Sequence, residues 1–208
     1  MKRNKKEEII KIASKHFAKK GFNQTSLEEI AKEAKVTKAA IYYHFKDKAA
    51  LYEETLLKDL KLLAKTVQEK VSAANSPEQK LKNYIKSFGE FLDEKKNIAA
   101  ILTYEFASEG ENLPNSAAKE LSKTLSVLTS IINEGIEKKI FVTENPMAIQ
   151  MMILTPLIMY QTTYKMRQKV ISFIDKEYKV SPKPDIKNLS DILAKKILIA
   201  LKGEKKDV

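Results

Sequence analysis

Cysteine is absent from this chain of 208 residues. That excludes disulfides, thiolate metal sites and cysteine nucleophiles together. Glycine and proline are scarce, five and six respectively, and no stretch sustains period-two alternation between turn dipeptides. The chain therefore reads as all-α. The glycines, at 21, 89, 110, 135 and 203, form no phosphate loop or dinucleotide fingerprint. The two histidines, His16 and His44, have no carboxylate cluster at metal-ligand spacing beside them. No cofactor or metal is expected, and a helical enzyme finds no foothold. Long hydrophobic runs are missing too. The most apolar window, MAIQMMILTPLIMY (147–160), is interrupted by Gln150 and Pro156 and falls short of the roughly 20 residues of a membrane span. MKRNKKEE at the start is charged and leads into no apolar run, so no signal peptide is read. The expectation is a cytoplasmic protein with no membrane partner.

What is present is positive charge, unevenly placed. The formal net charge is +11; residues 1–70 hold 17 Lys+Arg against 10 Asp+Glu, a net of +7 in a third of the chain. A basic N-terminal third suits an anionic partner, nucleic acid ahead of a membrane surface. The alternative is a lysine-rich proteome, since 36 of the 38 basic residues are Lys. Hydrophobic residues make up 43%, enough for a proper core.

The periodicity predicts a first helix over about 5–20 with Ile10, Ala13 and Phe17 on one face, ended at Gly21 by a left-handed cap. TSLEE follows, with Thr25 as N-cap and Glu28 closing a capping box. Leu27, Ile30, Ala31 and Ala34 form the inward stripe of the second helix. After Lys35-Val36 a new N-cap, Thr37, starts a short helix over 38–44, and Val36 with Ile41 makes a hydrophobic staple. Asp47 caps a long helix reaching about Val71. Further helices are predicted at 77–94, 96–108, 114–138, 146–177 with a kink at Pro156, and 187–202, with SPKPD (181–185) as a stiff connector.

Two short helices joined by a turn of about three residues describe a helix-turn-helix, whose second helix enters the major groove. In KAAIYYHFKDK (38–48), Ile41 and Phe45 are the inward anchors. Lys38, Ala39, Ala40, Tyr42, Tyr43 and His44 are left facing outward or sideways. Small Ala39 and Ala40 permit close approach to base edges. Lys38 suits a guanine edge or a phosphate, and Tyr42, Tyr43 and His44 are neutral donors for phosphate oxygens. Lys48 joins the backbone N–H groups of the next helix start, and Thr25 and Thr37 can cap and touch phosphate at once. His44 lacks a nucleophile partner, so a catalytic role is not supported.

From about Ile9 to Leu56 the chain resembles the N-terminal DNA-binding domain of the tetracycline-repressor (TetR) family. Phe17, Gly21-Phe22, Thr25, Ile30-Ala31, Ala34, Val36, Ile41-Tyr42, His44-Phe45-Lys46, Lys48 and Leu51 carry the likeness together and in register. The resemblance implies a homodimeric transcription regulator with a three-helix head, tied by the helix over 47–71 to an all-helical domain for ligand binding and dimerisation. The head is expected over 1–48 and the second domain over 49–208. By the same resemblance Lys38, Ala39, Ala40 and Tyr43 lie at or near bases, and Thr25, Thr37, Tyr42, His44 and Lys48 on the DNA backbone. Lys35 and Ala39 stand where the family commonly has glycine, and a left-handed Lys35 would cost about 1 kcal/mol. Arg3 can reach a minor groove or belong to a solvated terminus.

The last two long helices are apolar enough to pair with their two-fold mates, and intramolecular core explains other faces of them. Phe88, Phe91, Tyr104, Phe106, Gln150, Met152, Tyr160 and Thr163 are the candidate lining of a small-molecule pocket, with core packing as the alternative for such stripes. Methionine favours an apolar or amphipathic effector. The reading is a dimeric repressor of a near-palindromic double-stranded DNA operator, released by that effector. Its rival is a constitutive or architectural DNA-binding protein of the same fold.

Overall fold

The computed structural model describes residues 5–175, 177 and 185–203. Arg3 and most of the SPKPD connector lie outside them. The described residues form ten helices and no strand: α1 (Lys5–Gln24), α2 (Leu27–Ala34), α3 (Lys38–His44), α4 (Lys48–Ser72), α5 (Pro77–Glu94), α6 (Lys96–Ala107), α7 (Asn115–Glu137), α8 (Pro146–Thr162), α9 (Tyr164–Ile171) and α10 (Ile186–Lys202). They divide into two compact units, residues 1–64 with 97–122 and residues 65–96 with 123–208.

In the first unit, α1 buries Ile9, Ile12, Ala13 and Phe17. The core face is thus turned slightly from the expected one, and Ile10 is half-buried. Phe17 meets the edge of Tyr52 at 4.7 Å between ring centroids, and Phe22 lies 5.0 Å from the same tyrosine. The chain does turn at Gly21, but not through the left-handed helical cap expected: φ is 71° and ψ −179°. Glycine alone adopts that conformation readily. The surroundings reinforce the requirement, because a β-carbon on Gly21 would sit 3.0 Å from the Tyr104 ring. The Tyr104 hydroxyl itself donates to the Lys19 carbonyl at 2.8 Å, tying α6 to the end of α1.

In the second unit α5 packs against α10, and α8 lies on both. Gly89 permits the close approach of α5 and α10, since a β-carbon there would meet Ser190 Oγ at 1.9 Å. Leu81, Tyr84, Ile85, Phe88, Ile153, Leu157, Ile158, Ile197 and Leu201 are buried. Pro156 lies inside α8, and the single helix expected over 146–177 is instead broken at Thr163 (φ −99°, ψ 20°). Two consecutive threonines sit at the break. Thr162 donates its hydroxyl to Ile158 O at 2.9 Å and Thr163 to Met159 O at 2.5 Å, and such back-bonding loosens and bends a helix. Arg167 on α9 then donates to Thr163 Oγ1 at 2.7 Å across the break.

Replacing Gly21 by Ala forces a β-carbon into a glycine-only conformation and onto Tyr104. Urea unfolding should show a loss of about 1–3 kcal/mol.

Candidate nucleic-acid interface

Helix α2 starts one residue later than its sequence suggests. Ser26 is the N-cap, its hydroxyl accepting from the Glu28 and Glu29 amides at 3.1 and 3.5 Å. Thr25 is buried and spends its own hydroxyl on the Gly21 carbonyl at 2.7 Å. The capping box expected of Thr25 is thereby corrected: the sharp turn at Gly21 leaves a carbonyl that the Thr25 hydroxyl satisfies. Lys35 ends the helix in the left-handed conformation (φ 53°, ψ 47°). The Val36 amide bonds back to Ala31 O at 3.0 Å, so the strained residue closes the turn that aims α3.

Thr37 caps α3, accepting from the Ala40 amide at 3.1 Å. Ile41 and Phe45 are buried beneath it. Lys38, Ala39, Tyr42 and Tyr43 are exposed, Tyr43 to 85%, while Ala40 and His44 are half-buried. The His44 ring stands edge-on between Tyr43 and Phe45, 5.1 and 6.2 Å away. The predicted outward set of α3 is therefore brought together on one face.

Two cations behave differently from a simple positive surface. Lys48 donates to the carbonyls of Phe22, Thr25 and Asn23 at 2.9, 3.2 and 3.4 Å and lies 4.4 Å from the centre of the Phe22 ring. It clamps the turn between α1 and α2 to the start of α4. Asp47 accepts from the Ala50 amide at 2.8 Å, the expected cap. Lys38 is paired with Glu28 and also lies 5.9 Å from the Tyr42 ring centre. The Lys38 ammonium, and then the Ser26 hydroxyl, lower the Glu28 carboxyl to about 2. Both members of this pair are solvent-exposed.

Sequence reasoning missed Glu28 as Lys38's partner, and it missed Glu105. The Tyr52 phenol donates to Glu105 Oε1 at 2.5 Å in the core of the first unit, while Glu105 Oε2 is buried without a hydrogen-bond partner. Burial, with Glu105 next, pushes the phenol well above its ordinary range, so the tyrosine is the donor. The spacing of Ile98, Ile101, Leu102 and Glu105 was the available signal, because it sets the carboxylate on the buried stripe of α6.

The candidate pocket residues divide between the units. Tyr104 and Phe106 belong to the first, where Tyr104 is occupied with Lys19 O and Phe106 is exposed. In the second unit Phe88 and Gln150 are buried around Tyr84, whose hydroxyl donates to Gln150 Oε1 at 2.6 Å and whose ring lies 5.1 Å from Phe88. Thr124 also bonds the Tyr84 hydroxyl, and burial pushes this phenol up. Phe91 is buried nearby on α5, Met152 is exposed, Tyr160 lies under Arg167 at 3.9 Å, and Thr163 marks the helix break. Tyr84 was the missed residue; it shares the stripe of Leu81, Ile85 and Phe88. The described residues contain no His/Asp/Glu group able to hold a metal, and no helix among them is long and apolar enough to cross a membrane.

Residues 9–55 match the family described as bacterial regulatory proteins, tetR family, and residues 56–180 match the YsiA-like protein C-terminal region. The chain belongs to the tetR family. Similar to this tetR-family chain is the HTH-type transcriptional regulator YerO of Bacillus subtilis, 34% identical over 143 residues, which are 64% of this chain and 49% of YerO. The match thus spans about half of that relative's length. The fatty acid metabolism regulator protein of Bacillus subtilis is 28% identical over 140 residues, 65% of this chain and 70% of that protein. In fold, the chain is similar to the transcriptional regulator FadR from Bacillus subtilis, solved in complex with stearoyl-CoA, with a TM-score of 0.71 over 93% of this chain and 97% of that one at 22% identity.

The lowered Glu28 value has a direct consequence. The pair with Lys38 contributes above the ordinary carboxylate value of 4.5, and its contribution is lost as pH falls from there through about 2. A carbon-13 titration of the Glu28 carboxyl should give a midpoint near 2, moving back towards 4.5 in Lys38→Met; an unmoved midpoint contradicts the assignment.

Proposed function

We propose that this tetR-family protein is a homodimeric transcriptional repressor that binds a near-palindromic double-stranded operator and is released by an apolar or amphipathic small molecule. The observation that carries the reading is the one-sided burial of α3. Ile41 and Phe45 hold it to the head, while Lys38, Ala39, Tyr42 and Tyr43 stand clear. Lys38, Ala39, Ala40 and Tyr43 then meet base edges, and Thr37, Tyr42 and His44 meet phosphates. Thr25 and Lys48 complete the backbone-facing set, Lys48 also fixing the turn between α1 and α2. Residues 1–48 serve as the reading head, α4 as connector, and 49–208 as the effector and dimerisation domain. The protein works in the cytoplasm at the nucleoid and performs no catalysis.

Dimerisation through α8 and α10 fits the apolar side chains those helices leave exposed, Met147, Met151, Met152 and Met159 on one and Ile192 and Ile199 on the other. Two heads would then meet successive major grooves about 34–36 Å apart. For the effector, the cluster of Tyr84, Thr124, Gln150 and Phe88 combines polar tips with apolar walls. The fatty acid metabolism regulator among the relatives supports an acyl amphiphile as the class to try first. Such a ligand shifts the equilibrium only by binding the released state better than the operator-bound one. Constitutive binding is favoured by one feature of the same cluster: Tyr84 and Gln150 satisfy each other without a ligand.

The test is binding to duplexes from the DNA flanking the coding region, titrated against salt and against long-chain acyl-CoA. Tight binding to one near-palindrome, a steep salt slope and release by acyl-CoA support the whole reading. Binding that ignores every amphiphile supports the constitutive alternative. Tyr43→Ala should weaken that complex by roughly tenfold or more without moving the thermal midpoint, since the ring is exposed; unaltered affinity would remove α3 from the interface.

A further inference from the structure

Helix α2 carries three glutamates, and they do not point to the same partners. Glu29 pairs with Lys20 at 2.6 Å, and Glu33 with His16 at 2.8 Å and Lys15 at 3.9 Å, all on α1. These contacts fasten α2 to the head. Glu28 alone of the three pairs forward, with Lys38 at the first position of α3. An exposed carboxylate beside the helix that approaches DNA is repelled by phosphates. A base amine facing it would offset that repulsion.

We infer that Glu28 and Lys38 act together as a reader of one G·C base pair in each half-site, the carboxylate accepting from cytosine N4 and the ammonium donating to guanine O6 and N7. This rests on the DNA-binding reading and adds to it a residue from outside α3. The chemistry of the groove fits the order of the groups. A G·C pair shows two neighbouring acceptors and then one donor, whereas A·T places its donor between two acceptors. A lysine ammonium spans the adjacent acceptors and the glutamate takes the donor. The same carboxylate facing thymine O4 or a guanine O6 would be an unpaired charge against an acceptor, which rejects the wrong pair as well as favouring the right one.

Three local features serve this arrangement. Ala39 and Ala40 follow Lys38 and let the start of α3 lie close to the bases. The Tyr42 ring, 5.9 Å from the ammonium, guides the lysine stem. Ser26 donates to the other Glu28 oxygen, Oε2, at 2.7 Å, leaving Oε1 to Lys38 and holding the carboxylate in place. Because the pair is neutral as a unit, it adds little to general phosphate attraction. Its contribution is to sequence preference.

Selection from a randomised duplex pool, with wild type, Glu28→Ala and Lys38→Ala in parallel, tests the inference. Wild type should enrich a G·C pair at one position of each half-site. Each variant should lose that preference at the same position, by roughly five- to 150-fold, and keep the others. Glu28→Ala should also bind scrambled duplex more tightly, with a salt slope steeper by about 0.9, as the freed lysine finds a phosphate. Retention of the full wild-type site by Glu28→Ala overturns the inference and leaves DNA binding intact. So does relaxation of different positions by the two variants. A wild type that enriches no sequence overturns the DNA-binding reading and the inference with it. Both residues are exposed, so loss of their pair should lower the unfolding midpoint only slightly; if Glu28→Ala fails to fold, Glu28→Ser carries the same comparison.

Discussion

A helix of seven residues does not hold itself together in water, where about 12–15 are needed for marginal stability. Everything useful about α3 depends on how it is held from one side. Ile41 and Phe45 enter the core of the head, and burying two such side chains gains about 1.5–3 kcal/mol each. Thr37 closes the front of the helix, and the Phe45 amide returns to Ile41 O at 2.9 Å at its end. The inner residues and caps fix the helix, so the outward face is left largely to solvent. Tyr43 stands at 85% exposure, its ring clear of the core.

The head is further defined by polar ties from α6 and the start of α7. Asn97 donates to Ser14 Oγ at 3.1 Å, Tyr104 to Lys19 O, Tyr52 to Glu105, and Ser116 to Glu53 at 2.5 Å. These bonds set α6 in a definite register against α1 and α4. The Tyr52–Glu105 bond is the least complete of them, because one buried carboxylate oxygen has no partner. A half-satisfied buried group is costly where it stands. The Lys48 clamp works in the opposite sense: three carbonyls and an aromatic face hold one ammonium.

Helix boundaries were legible from caps and periodicity because local chemistry decides them. The bounds of α3, the Asp47 cap and Pro77 at the head of α5 could all be read directly. Where a hydroxyl had a competing carbonyl one turn back, reading failed. Thr25 had a carbonyl at Gly21 to satisfy, so Ser26 took the cap. The expected helix over 146–177 is split at the threonine pair. The same limit applies to the sites. The outward face of α3 follows from the position of two apolar anchors, whereas Lys38–Glu28, Lys48 and Tyr52–Glu105 link residues 10 to 53 positions apart. Pocket residues were the least legible, because an aromatic stripe looks alike in a core and in a cavity wall.

The central claim is that α3 of two protomers reads two half-sites of one duplex. A hydroxyl-radical footprint on the tightest-binding flanking duplex tests it most directly. Two symmetric protected patches, their centres separated by one helical turn of about 10–10.5 base pairs or a multiple of it, are the predicted result. Uniform protection of every duplex, with no repeating patch, would contradict the account.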